Sequence, residues 1–338
     1  KPSSGLNVLS TRWISRANAK QRKGRAGRVL AGECFHMYFR AIYKILDEMP
    51  TAEIKRTSLD QLCLRTRSVI GDRPTSTAAF LAAAIEPPPP DAIQTAVRSL
   101  TERGALEPVT ERLTPLGQHL ACLPVDVSIG KLLIFSAVFK CVDPVLTICA
   151  ILSHKSPFVS PFEQRHEADE ARKKFVVGHS DTLAAVQAYY AWRQSCEERR
   201  DRAFTEQNFL SATALRTIRD LKRQFCTALV DTGLLPPTTQ RLLEEQMLQR
   251  TYTGSNANSH NSRVVEGVLC AGLYPHILMM RPPDTKYKQV EAGAVARAHD
   301  PKDIKFYIRG SDAEHKSTQR VFLHPSSVIF SANDFHSN

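Results

Sequence analysis

The chain has 338 residues, more than a usual single domain, which predicts about two to four domains. It carries 45 Lys or Arg against 34 Asp or Glu, a formal net charge of +11. No apolar run reaches the roughly 18 residues that a membrane span requires, and no signal peptide precedes Lys1, so we expect no membrane contact.

The positive charge lies mainly at the start of the chain. The first 40 residues hold nine Lys or Arg against one acid, Glu33, whereas the remaining residues hold 36 against 33. This distribution indicates a localised phosphate site rather than a surface coated in positive charge.

The eight cysteines are scattered, most of them among apolar neighbours and none in a C-x-x-C pair. We therefore expect reduced, buried thiols in an intracellular protein, and no metal site. Because the chain begins without Met, in the middle of a sequence pattern, we expect it to be a fragment of a longer protein.

Residues 1–52 have the pattern of an edge of an α/β domain. The extended stretch "GLNVLSTRWIS" precedes a basic turn that we expect to open a helix, and "GECFHMYF" (32–39) has the composition of a β-strand. These elements are too few to form a domain alone.

The basic turn "QRKGRAGRV" (21–29) is the first candidate functional site. Its four cations and two glycines are Arg22, Lys23, Arg25, Arg28, Gly24 and Gly27. Such cations repel one another unless an anion lies among them, glycine lets an anion approach the backbone, and the arginine fork matches phosphate oxygens. If Arg25 and Arg28 start a helix, their spacing places both on one face, within reach of one phosphate. The alternative is a solvated loop or a nuclear-localisation-type run.

Residues 53–121 predict a winged helix, that is, a helix, a hairpin and a second helix. Four prolines (87–90) stop any preceding helix, and Asp91 is the expected N-cap of a helix that Gly104 ends. The apolar positions with helical spacing are Ile93, Ala96, Val97 and Leu100. A hairpin over 105–114 follows, and Thr114-Pro115 starts the next helix.

The rest of the chain predicts a helical part and then a β part. Residues 122–232 suit a helical bundle, in which Ser211 caps a long helix that Gly233 ends. The expected inward positions of its two main helices are Leu183, Val186, Tyr190, Ile218, Leu221, Phe225 and Leu229. Residues 233–338 change to β composition, which predicts a small β-barrel, with a sandwich as the alternative.

The string "QRKGRAGR" resembles motif VI of superfamily 2 helicases, in the form typical of the DEAH/RHA family. The resemblance continues in order through "LPVDVSIGKLL", "SHKSPFVSP", "NFLSATAL", "VLCAGLYPHI" and "VFLHPSSVIF", and favours the RHA-like branch. It implies a multidomain, mainly α chain with an α/β remnant and a β-barrel. The implied domains are the end of RecA-like lobe 2 (1–52), a winged helix (53–121), a helical ratchet bundle (122–232) and an OB-fold (233–338).

The resemblance also implies roles for single residues. Gln21 matches the glutamine near the γ-phosphate and the attacking water. Arg25 and Arg28 match the arginine fingers that bind the γ-phosphate, which makes them the expected catalytic residues, while Arg22 and Lys23 support the loop.

In the ratchet, Ser153 matches a family serine at the RNA backbone. Splicing members of the family carry an arginine seven residues later, where this chain has Ser160. Lys155 is the expected substitute for that RNA contact.

The implied function is that of a C-terminal region of an ATP-dependent RNA helicase. No G-x-x-x-x-G-K-[ST] and no DEAH box occur in this sequence, so ATP and Mg²⁺ would be bound mainly by upstream residues and the chain alone would not hydrolyse ATP. The expected partner is single-stranded or structured RNA, with a ribosomal subunit or a G-patch-type activator as further candidates, in the cytoplasm or alternatively the nucleus. The competing hypotheses are a non-catalytic RNA-binding or ribosome-docking module on the same fold, and a DNA-directed helicase.

Overall fold

The computed structural model describes residues 13–55, 58–178, 180–245, 254–281, 287–290, 293–296, 304–309 and 318–330. The chain divides into two compact units. Unit 1 contains residues 1–102 and 106–113, and unit 2 contains residues 103–105 and 114–338. Most of the extended stretch predicted before the basic turn lies outside the described residues.

Unit 1 begins with two short helices joined by an irregular segment. Helix α1 covers Arg16–Lys23 and helix α2 covers Arg40–Ile45. The β-strand predicted over 32–39 is wrong, because this segment has no strand to pair with among the described residues and an unpaired strand gains no hydrogen-bond ladder. The large apolar side chains here are between 79% and 95% exposed, namely Val29, Leu30, Phe35, Met37 and Phe39.

The second part of unit 1 packs three helices around an apolar core. These are α3 (Asp60–Ile70), α4 (Thr77–Ala82) and α5 (Pro90–Glu102), which contact one another pairwise. The buried apolar side chains include Cys63, Leu64, Leu81, Ile93, Ala96 and Leu100, so the predicted inward face of α5 is confirmed except at Val97, which is half-buried. Asp91 is not the N-cap, because α5 begins one residue earlier and its first turn donates to the carbonyl of Pro89.

The predicted hairpin after α5 forms as a single antiparallel bridge between Leu106 and Leu113. The Glu111 carboxylate ties it to α4, since it accepts hydrogen bonds from the amide and the hydroxyl of Thr77 at 2.9 and 2.7 Å. The next helix, α6, starts at Pro115 behind the N-cap Thr114, as predicted, and belongs to unit 2. The winged helix as a whole stays a prediction.

Unit 2 is mainly helical. Its helices are α6 (Pro115–Cys122), α7 (Val127–Val138), α8 (Val142–Leu152), α9 (Arg165–Lys173), α10 (Asp181–Glu197), α11 (Asp201–Gln207), α12 (Ala212–Asp231), α13 (Pro237–Glu244) and α14 (Ser262–Leu273). Helix α8 is buried from Val142 to Ile151 because α7, α10 and α12 pack against it, as its apolar composition on all sides requires. Within the described ranges, no single helix is long and apolar enough to cross a membrane, and α6 and α7 pass that test only as a pair bent by 111°.

The long helix α12 forms as predicted. The Ser211 hydroxyl accepts the amide hydrogen of Ala214 at 3.3 Å, and Gly233 follows the helix at φ +75°. Of the predicted inward positions, Ile218, Phe225 and Leu229 are buried and Leu221 is half-buried.

The buried face of α10 differs from the prediction. Val186 is buried, but Leu183 and Tyr190 are only half-buried. The most deeply buried positions include Ala184, Ala188 and Trp192, and α10 packs against α8.

The described strands lie near the C-terminus. Strands β1 (Leu278–Arg281), β4 (Lys305–Arg309) and β5 (Thr318–Val321) form an antiparallel sheet in the order β1-β4-β5, with Leu278 opposite Ile308 and Phe306 opposite Val321. Strands β2 (Tyr287–Val290) and β3 (Gly293–Ala296) pair with each other. The β composition is confirmed, while the barrel and the OB-fold stay predictions.

Candidate nucleotide and nucleic-acid contact sites

Helix α1, whose last residues belong to the basic turn, is fixed at its N-terminus. The Ser15 hydroxyl accepts a first-turn amide hydrogen at 3.1 Å. The Arg16 amide donates to the carbonyl of Asp47 at 2.8 Å, and its guanidinium donates to the carbonyl of Tyr43 at 3.1 Å. Helix α2 and the segment after it therefore hold the start of α1 in place.

The basic turn forms the end of a helix instead of opening one. Helix α1 ends at Lys23, and the Gly24 amide closes it by donating to the carbonyl of Lys20 at 3.0 Å. Arg25 lies in the turn over 24–27 and Arg28 in the bend after it, so the predicted helical face does not exist. Because the C-terminal end of a helix carries partial negative charge, phosphate binding here depends on the guanidinium groups and not on the helix dipole.

The side chains of Gln21, Arg25 and Arg28 are exposed, and neither arginine has an acidic partner among the described residues. The turn is folded against Gly32, where an added Cβ would lie 2.4 Å from the carbonyl oxygen of Ala26. Two unpaired guanidinium groups on a compact turn suit the binding of an external anion.

The donor set of the turn fits phosphate oxygens but not Mg²⁺. Mg²⁺ takes oxygen ligands, mainly carboxylates and waters, and the residues from Gln21 to Arg28 supply no carboxylate. Over the whole described part of the chain, no group of three His, Cys, Asp or Glu is placed to hold a metal ion.

The second candidate site is the loop of unit 2 that joins α8 to α9. Ser153 is the C-cap of α8, and its amide donates to the carbonyl of Cys149 at 3.0 Å. Ser153, Lys155 and Ser160 are exposed, and Lys155 has no acidic partner in the described ranges. Both predicted RNA-contact residues are therefore accessible on one loop.

This loop is tied to the turn that precedes α12, a pairing that the sequence did not predict. Phe158 and Leu210 form an antiparallel bridge. Two backbone hydrogen bonds of 2.8 Å flank it, from Val159 to Phe209 and from Ser211 to Pro157. The strings "SHKSPFVSP" and "NFLSATAL" thus form one structural element, although no local pattern marks a contact between segments about fifty residues apart.

A buried ion pair lies at the start of α8, at the other end of this helix from Ser153. Lys222 Nζ lies 2.6 Å from Asp143 Oδ1, with 4% and 2% of the two side chains exposed. The Tyr190 hydroxyl donates to Asp143 Oδ2 at 2.5 Å, and Lys222 lies over the rings of Tyr189 and Tyr190 at 5.4 and 5.6 Å. Burial, and then the carboxylate of Asp143, raise the pKa of Tyr190 well above its ordinary value, so this hydroxyl stays a donor.

Comparison with known proteins identifies the family. The helicase associated domain (HA2), ratchet-like, matches residues 126–214, from α7 to the start of α12. The chain is similar to the ATP-dependent DNA/RNA helicase DHX36 of Homo sapiens, with 36% identity over 336 residues that cover 98% of this chain and 30% of the relative. It belongs to the DEAH-type helicases. The chain corresponds to a C-terminal part of a DEAH-type helicase.

The chain is also similar to two further relatives. The DExH-box ATP-dependent RNA helicase DExH1 of Arabidopsis thaliana is 41% identical over 271 residues, which cover 80% of this chain and 26% of the relative. DHX57 of Homo sapiens is 40% identical over 305 residues, which cover 87% of this chain and 22% of the relative. The chain thus spans less than a third of the length of these relatives, and its helical ratchet part is the region that the family domain matches.

Proposed function

We propose that this chain is part of an ATP-dependent RNA helicase and supplies the arginine fingers of motif VI. The observation that carries the proposal is the exposed basic turn over 21–29, whose arginines Arg25 and Arg28 have no acidic partner among the described residues. In a member of the DEAH-type helicases, an anion that would relieve their mutual repulsion is the terminal phosphate of ATP.

In this mechanism, the charge that develops on the γ-phosphate oxygens is stabilised by Arg25 and Arg28. An added arginine raises the rate of the best-studied nucleotide hydrolases by about 10³ to 10⁵. Gln21, in the last turn of α1, orients the attacking water, while Arg22 and Lys23 support the loop. The P-loop and the DEAH box, together with the Mg²⁺ that they hold, would come from other parts of the complete protein.

The exposed apolar segment from Val29 to Phe39 supports this assignment. Its five large apolar side chains are exposed to water, where they contribute no stabilisation by burial. They are suited to packing against the remainder of a RecA-like lobe.

Unit 2 would then contribute to the roof of the RNA channel, with Ser153 and Lys155 at the RNA backbone. The two side chains are exposed on a loop that the bridge to Leu210 fixes in place. The winged helix and the OB-fold would complete the roof. A ribosomal subunit, a G-patch-type activator and a cytoplasmic location stay predictions.

The test of the proposal is Arg28→Ala in the complete protein. We expect RNA-stimulated ATP hydrolysis to fall by about 10³-fold or more, with RNA affinity largely unchanged. Lys23→Ala, in the same exposed turn, is the matched control and should retain most of the activity. Unchanged turnover in Arg28→Ala would refute the finger assignment.

A DNA-directed helicase is the second candidate, because the relative DHX36 is named a DNA/RNA helicase. ATP hydrolysis by the complete protein, measured with single-stranded RNA and with single-stranded DNA of the same base sequence, separates the two. We expect stronger stimulation by RNA, and equal stimulation would count against an RNA-specific role.

A further inference from the structure

The loop between α8 and α9 contains two phenylalanines with opposite environments. Phe158 packs inward, with its ring centroid 6.1 Å from that of Phe175 and the guanidinium of Arg172 5.0 Å from its ring. Phe162, only four residues later, is 82% exposed. Since a phenyl ring left in water forgoes the stabilisation of burial, packing does not explain the position of Phe162.

One face of the Phe162 ring carries a cation. The guanidinium of Arg165 lies 4.9 Å from the ring centroid, which is within the range of a cation–π contact. Because the ring is still 82% exposed, its opposite face is open to a flat ligand. Neither Arg165 nor Lys155, on the same loop, has an acidic partner among the described residues, so both charges can meet phosphates.

The ring is held on a short, stiffened segment. Pro157 and Pro161 restrict the loop, and Phe162 begins a 3₁₀ turn that the Gln164 amide closes by donating to the carbonyl of Pro161 at 3.2 Å. The antiparallel bridge at Phe158 anchors the same loop to the turn before α12. A ring presented in this way loses little conformational freedom when it binds a ligand.

We propose that Phe162 is a stacking platform for a nucleobase of single-stranded RNA, with Arg165 on the opposite face of the ring and Lys155 at the backbone. The proposal rests on the proposed function, and it adds a base contact to the backbone contacts expected of this loop. An aromatic ring with a cation on one face suits single strands of any base composition, because every base has a flat face to stack. The contact therefore favours unpaired RNA without selecting a sequence.

The test is the affinity of the 338-residue chain for a fluorescein-labelled single-stranded oligouridylate, measured by anisotropy. Phe162→Ala should weaken binding by about 5- to 150-fold, the range expected for one base on one aromatic ring. Phe162→Trp should bind at least as tightly as the unaltered chain. Phe80→Ala, which removes another part-exposed phenylalanine in unit 1, should leave the affinity unchanged.

A second oligonucleotide, in which abasic sugars replace all the nucleosides, shows whether the ring contacts a base. Phe162→Ala and the unaltered chain should bind that abasic backbone with equal affinity. The melting temperature of the variant should match that of the unaltered chain, which shows that the variant is folded. Equal affinity of Phe162→Ala and the unaltered chain for oligouridylate would overturn the proposal and assign the ring to a protein partner. An equal loss on the abasic backbone would also overturn it. If the unaltered chain and its complete parent protein bind no RNA at all, the proposed function fails together with the platform.

Discussion

The buried pair of Asp143 and Lys222 offers a stability prediction that can be worked out from its geometry. The charges lie 2.6 Å apart and are almost fully excluded from water. Lys222→Met keeps the length of the side chain but leaves the carboxylate buried with the Tyr190 hydroxyl as a remaining donor. Removing one partner of such a pair costs about 3–5 kcal/mol. With a urea dependence of about 1–3 kcal/mol per molar, the unfolding midpoint should fall by about 1 M or more.

The assay is urea unfolding followed by the fluorescence of Trp192, which is buried in α10 with its ring 5.8 Å from that of Tyr189. A Trp13→Phe background removes the second, exposed tryptophan. Arg219→Met is the matched control on α12, because its pair with Asp220 is at the surface and should be worth about 0–1 kcal/mol. Adding Asp143→Leu to Lys222→Met should restore most of the lost stability, since no unpaired charge stays buried. A loss in Lys222→Met no larger than in the control would refute this reasoning.

Two further predictions concern thiol reactivity and the C-terminal segment. Burial raises the pKa of the Cys63 thiol to about 12 and that of Cys226 to about 11, so both stay protonated at pH 8 and should resist iodoacetamide until the chain unfolds. The exposed Cys122 should be alkylated faster than Cys63 and Cys226, and equal rates in mass spectrometry would contradict the assignment. Asp181→Ala removes the acceptor of the Val328 amide at 3.0 Å and of the Ser327 hydroxyl at 2.6 Å, so hydrogen exchange at that amide should quicken by about tenfold or more. Unchanged exchange would show that this carboxylate does not anchor the segment.

The elements that the sequence predicts correctly are those with local signals. Helix α6 has Thr114 as its cap and proline at its first position, and α12 combines the Ser211 cap with helical spacing of buried residues. Caps and periodicity act within one or two turns, so one sequence suffices to find them. The burial of the cysteines was predicted only in part, since Cys63, Cys141, Cys149 and Cys226 are buried while Cys34, Cys122 and Cys270 are exposed.

The features that the sequence predicts wrongly, or does not predict, depend on residues that are far apart in the chain. A β-strand needs a neighbour, so the composition of residues 32–39 did not decide their conformation. The arginines Arg25 and Arg28 lie after α1 and do not open a helix, because the Ser15 cap starts the helix at Arg16 and it ends at Lys23. The contact of Phe158 with Leu210 and the pair of Asp143 with Lys222 join segments far apart in sequence, and no local pattern marks them.

In the proposed mechanism, Arg25 and Arg28 of the 21–29 turn act on the terminal phosphate of ATP in the complete protein. The most direct measurement of this role is the rate of phosphate release from ATP by that protein, with and without saturating single-stranded RNA. We expect turnover that RNA stimulates and that vanishes when Arg25 and Arg28 are both changed to Ala. Absence of ATP turnover in the unaltered protein would contradict the account and favour a non-catalytic RNA-binding or ribosome-docking module. Turnover that survives loss of both arginines would show that they do not reach the nucleotide.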